Sequence, residues 1–299
     1  MKRDHALAKQ RGRSLPQAKG TRMLTDGGLE TTLVFHDQLD LPCFAAFPLL
    51  ESRAGRDRLA DYYRRHAQIA NTRSFGFVFE SPTWRANPDW AGILGFSPDA
   101  LDRLNVAGID LMNAVRNEVG LEPDRGIISG NIGPRGDGYV ADQAMTADEA
   151  RRYHAPQIDS FRRANADMVT AMTISSVNEA VGIVHAAGEA SMPVVISFTV
   201  ETDGRLPSGK SLRDAIVETD RKTQRIAAYY MINCAHPTHF VDLFTPGARW
   251  QERIGGIRAN ASCKSHAELD AAETLLPACT RSEQIDEVRR VGAVDHVIG

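Results

Sequence analysis

Short apolar runs alternate along the chain with longer stretches whose apolar residues recur at helical spacing. The runs at 23–26, 75–80, 126–130, 168–173, 194–200, 229–233 and 254–258 are brief and almost continuously apolar, which predicts strands buried on both faces. Between them, 56–72 and 101–119 carry the helical period. Thr146 followed by Glu149 predicts a capped helix start, with the helix running to about Ala166. Ser211 followed by Asp214 predicts another, with Asp in the place of the usual Glu. Helices are also expected over 176–190, fading near Gly188 before Pro193, and over 264–275.

Seven strands in strand–helix alternation predict an α/β fold with a parallel sheet, and the chain length favours a (β/α)8 TIM barrel. A doubly wound dinucleotide fold is disfavoured. Gly27-Gly28 after the first strand leads into Leu29-Glu30 and not into a glycine-rich phosphate loop. For the eighth strand only 293–298 remains, so the last strand and its loop are expected to be incomplete or divergent.

Composition narrows the picture. The 299 residues are 42% hydrophobic, enough for one large core, and the net charge of -3 gives no basic footprint for nucleic acid. No apolar run reaches the length of a membrane span. The four cysteines, Cys43, Cys234, Cys263 and Cys279, are widely spaced and predict free or metal-bound thiols in a reducing cytoplasm. Residues 1–22 carry seven Lys or Arg residues and almost no apolar cluster, so they are expected to be a disordered basic tail, with Met23 as an alternative start. Residues 23–299 are expected to form one barrel domain.

In a barrel the loops after the strands build the active site. Asp26, with Gly27, Gly28 and Glu30, follows the first strand, where a carboxylate can hold an ammonium group. Gly130-Asn131-Ile132-Gly133-Pro134 follows the third and reads as a tight turn that could touch substrate through Asn131. Asn233-Cys234 ends the sixth, a place from which a thiol can bind a metal or a substrate. His236 and His239 read more naturally as capping or surface groups than as ligands. Gly209-Lys210-Ser211 lacks the earlier glycine of a phosphate loop. No strand ends in Lys, which argues against an aldolase-type barrel.

These motifs, together with Ser197–Leu212 read as one stretch (residues 197–212), resemble the homocysteine S-methyltransferase family over roughly residues 23–275. The resemblance implies methyl transfer from a sulfonium donor, S-methylmethionine or S-adenosylmethionine, to a zinc-activated homocysteine thiolate, giving methionine. It implies that Asp26, Gly27, Gly28, Glu30, Asn131 and Asn233 bind small-molecule substrate, and that Cys234 is a Zn2+ ligand.

Two departures stand out. The family's substrate-binding glutamate after the fourth strand is Met172 here, while Glu179 matches a later, more structural glutamate. The family's Gly-Gly-Cys-Cys segment, which supplies the other two thiolates, is absent, leaving Cys263 as the first substitute ligand and Cys279 as a weaker one. A frameshift or truncation affecting residues 276–299 is the expectation that follows. The competing reading is a non-catalytic barrel that binds a small molecule without zinc chemistry.

Overall fold

A computed structural model describes residues 15–139, 145–271 and 297–298. Eight parallel strands close into a barrel in sequence order. They are β1 (Met23–Thr25), β2 (Gly76–Glu80), β3 (Gly126–Ile132), β4 (Met168–Ile174), β5 (Val194–Phe198), β6 (Tyr229–Asn233), β7 (Ile254–Arg258) and β8 (Val297–Ile298). The expected bounds of β6 and β7 coincide with the observed ones. The two-residue β8 closes the ring, pairing Val297 with Met23 and with Gly256. The rest of 276–299, including Cys279, lies outside the described residues.

The helices are α1 (Arg53–Thr72), α2 (Pro88–Ile93), α3 (Pro98–Val119), α4 (Ala147–Arg163), α5 (Val177–Glu189), α6 (Leu212–Thr223) and α7 (His266–Asp270). Capping sets their starts. Thr146 and Glu149 form the reciprocal capping box that opens α4. Ser211 accepts from the Asp214 amide at α6, and Ser265 with Glu268 forms a second box at α7.

Alternate strand residues face opposite ways, and two apolar clusters result. Phe77, Phe79, Ile128, Val169, Ala171, Val194, Ile196 and Ile232 pack with the helices in the outer core. Met23, Val78, Ile127, Met168, Met172, Val195, Tyr229 and Met231 fill the barrel interior. Leu15 joins that inner cluster, and Gln17 Nε2 donates to Tyr229 Oη at 3.1 Å. Both residues lie in the stretch expected to be a tail, yet both are buried against the barrel floor, where they cover the starts of the strands.

Gly130 explains how closely α4 approaches β3. A Cβ there would lie 2.2 Å from the Phe161 ring, so only glycine lets helix and strand meet. At β4 the pairing with β5 shifts register between Ala171 and Ile174, and Thr173 takes a left-handed φ of 63° within the bulge.

Candidate active site at the barrel mouth

The C-terminal ends of the strands bring together residues that are far apart in sequence. Asp26, just beyond β1, is 1% exposed. Its Oδ2 accepts from Arg258 Nη2 at 2.9 Å, at the end of β7, and from Tyr62 Oη at 3.2 Å, on α1. The sequence reading left Asp26 open to an ammonium group. In the structure one of its oxygens is taken by an arginine, while Oδ1 is buried without a hydrogen-bond partner. Burial pushes the Asp26 carboxyl up, opposed by the charges of Arg258 and His66. Burial alone would lower the Arg258 guanidinium. Burial is the largest single influence, but the charge of Asp26 together with further contributions that include Tyr62 and Glu80 outweighs it and holds the group above its ordinary value.

Gly27 and Gly28 follow Asp26, and neither takes a left-handed φ. Gly28 is extended, with φ -83° and ψ 96°, and caps the short helix Leu29–Thr31 that carries Glu30. Glu30 is partly buried, and its removal from water lifts its carboxyl to about 7.

Asn131 lies next to β2. Its backbone N–H donates to Ser81 Oγ at 3.0 Å and its carbonyl accepts from Thr83 Oγ1 at 2.8 Å. The side-chain Oδ1 is buried without a partner. Gly133 in the same turn is a steric necessity, because a Cβ there would lie 2.3 Å from the Trp84 carbonyl. Glu179 serves this turn structurally, its Oε1 accepting from the Arg135 amide at 2.8 Å and facing His154 Nε2 at 2.9 Å.

Asn233, 2% exposed, ties three strands together. Its Oδ1 accepts from the Thr173 amide at 2.9 Å and from Ser197 Oγ at 2.6 Å. Its Nδ2 donates to Thr173 Oγ1 at 2.9 Å and to Cys234 Sγ at 3.1 Å. The bulged β4 is thus satisfied by a side chain, and the same amide orients the thiol. Cys234 takes a left-handed φ of 58°, and two contacts hold it there. Its amide donates to the Arg258 carbonyl at 3.1 Å, and its carbonyl faces His266 Nε2 at 2.7 Å. His266 Nδ1 in turn faces Glu201 Oε1 at 3.1 Å.

His236 and His239 occupy capping positions around the short 3-10 helix Pro237–His239. His236 Nδ1 meets Thr238 Oγ1, and His239 Nε2 lies 3.0 Å from the Cys263 carbonyl. Cys263 is exposed in the segment between β7 and α7. Among the described residues, no group of three or more His, Cys, Asp or Glu side chains is arranged to hold a metal ion. Among the described residues, Cys234 Sγ meets the Asn233 amide and the Thr173 hydroxyl, and the nearby His266 ring faces the Cys234 carbonyl. The described residues therefore do not fit a three-thiolate zinc site.

A sequence model of the homocysteine S-methyltransferase family matches residues 23–292. The chain belongs to this family. Among solved structures, it is similar to the homocysteine methyltransferase MmuM from Escherichia coli. The metallated form is 16% identical, with a TM-score of 0.67, over 93% of this chain and 90% of that one. The oxidized form is 18% identical, with a TM-score of 0.66, over 94% and 90%. At these identities the likeness concerns the fold. No curated protein matches the sequence. Family membership and fold support a methyltransferase. No helix among the described residues is long and apolar enough to cross a membrane.

Several residues at this mouth escaped the sequence reading. Arg258 was visible only as the last residue of a strand, and its partner lies 232 positions away. Glu80 ended another apolar run. Arg85 is 8% exposed, with its guanidinium between the rings of Trp84 at 4.2 Å and Trp90 at 4.0 Å. The adjacent Trp84-Arg85 pair was the available signal for this stack. Met172 is 3% exposed in the inner cluster, so no carboxylate enters the mouth from that position.

Proposed function

We propose that this chain methylates the thiol of homocysteine, using a sulfonium donor such as S-methylmethionine or S-adenosylmethionine and releasing methionine. The observation that carries the reading is the family match across the barrel, on a fold whose mouth gathers Asp26, Glu30, Asn131, Asn233 and Cys234. In this reading the polar groups on β1 to β3 hold the amino-acid end of the acceptor. Cys234, on the opposite side at β6, marks the sulfur end. The acceptor thiol gives up its proton to solvent, and the resulting thiolate attacks the methyl carbon in line with the breaking C–S bond. The donor's positive charge is lost as a neutral thioether departs, so the leaving group needs no general acid.

The second reading is a barrel that binds a small molecule without zinc chemistry. It is favoured by one observation, that Cys234 has no metal-ligating companions among the described residues. Incubation with homocysteine and each donor, with methionine detected by mass spectrometry, separates the two. Methionine formed above a no-enzyme control supports methyl transfer, and bound homocysteine without turnover favours the second reading.

A further inference from the structure

We propose that Glu80 is the ammonium-binding carboxylate of this mouth, so that the site takes a ligand bearing a primary ammonium group, held by Glu80 Oε2, Asp26 Oδ1 and Asn131 Oδ1. The inference deepens the acceptor assignment above and rests on it.

The strands β1, β2 and β3 are neighbours in the barrel, and each delivers one buried side-chain oxygen that lacks a hydrogen-bond partner: Asp26 Oδ1, Glu80 Oε2 and Asn131 Oδ1. Such orphans are rare in folded proteins because each forfeits the solvation it had in water. With the carboxyls ionised, all three accept and none donates. The group that satisfies them therefore brings several donors and, facing two carboxyls, positive charge. A primary ammonium has three N–H bonds and one charge.

Glu80 holds the carboxyl with charge to spare. It is 1% exposed, and the hydroxyls of Ser129 and Thr170 hydrogen-bond to it. Among the described residues it makes no ion pair, whereas Asp26 is already paired with Arg258. Burial lifts the Glu80 carboxyl to about 7 in the ligand-free chain against the charge of Arg258, and a further cation beside it would restore the carboxylate. A buried acid whose opposing cation, Arg258, is already paired with Asp26 destabilises a fold, and its presence at the functional end of a barrel points to use.

The test compares two thiols by calorimetry on the full chain. Homocysteine and 4-mercaptobutanoic acid share the thiol, the chain and the carboxylate and differ in the α-ammonium group. The parent is expected to prefer homocysteine by at least about tenfold, the lower end of what hydrogen bonds to a charged group contribute. Glu80→Gln is expected to abolish that preference while keeping its affinity for 4-mercaptobutanoic acid. A purely structural role would weaken both thiols alike. Equal affinities in the parent, or a preference retained in E80Q, overturns the proposal. Should E80Q not fold, Glu80→Asp serves, since its shortened carboxylate is expected to reduce the preference and an unchanged one overturns the proposal. If neither thiol binds the parent, the acceptor assignment itself falls, and this inference falls with it.

Discussion

Replacing Glu80 with glutamine removes a buried charge while nearly preserving the side chain's shape, and its effect on stability is expected to depend on pH. Withdrawal from water lifts the Glu80 carboxyl from 4.5 to about 7. Between those values the folded chain keeps a proton that the unfolded chain releases, so stability falls as pH rises through this window. At 1.36 kcal/mol per pH unit, the cost reaches about 3 kcal/mol above pH 7. At pH 5 the unfolded carboxyl is mostly ionised and the cost is about 1 kcal/mol. Glutamine carries no such cost. Urea unfolding of E80Q and the parent is therefore expected to show the variant ahead at both pH 5 and pH 8, with the gap about 2 kcal/mol wider at pH 8. A gap that stays constant or narrows would refute the argument that the charge of Arg258 only partly offsets the burial of Glu80.

Other substitutions probe the rest of the mouth and its support. Asn233→Ala strands the Thr173 amide and the Ser197 hydroxyl, and chemical denaturation is expected to show a loss of about 2–4 kcal/mol. Arg258→Met leaves Asp26 buried without its cation and is expected to cost about 3–5 kcal/mol, most of it recovered in the double variant with Asp26→Asn. A double variant no more stable than R258M would contradict the pairing. Gly130→Ala forces a Cβ into the Phe161 ring and is expected to cost about 1–3 kcal/mol in the same assay.

The strands and helices were legible because parallel strands buried on both faces are short and apolar, while helices keep the 3.6 period and announce their starts. The Thr146 and Ser211 caps appear in the structure where the sequence placed them. The inner and outer faces of the strands were not legible. In Phe77-Val78-Phe79-Glu80 every residue is buried, and only closure of the barrel shows that Val78 and the phenylalanines pack on opposite sides. For the same reason Glu80 passed as a strand terminus. The Asp26–Arg258 pair joins the two strands that flank β8, a neighbourhood no local pattern encodes. Asp26, Asn131, Asn233 and Cys234 were found because they sit in motifs. The groups that complete their surroundings do not.

The most direct test of the central claim is transfer of a trideuterated methyl group from S-methylmethionine or S-adenosylmethionine to homocysteine, followed by mass spectrometry with the parent and with Cys234→Ala. The account predicts trideuterated methionine from the parent and a large loss in the variant, because Cys234 marks the sulfur end of the mouth. No labelled methionine from the parent with either donor, or an unchanged rate in the variant, would contradict it.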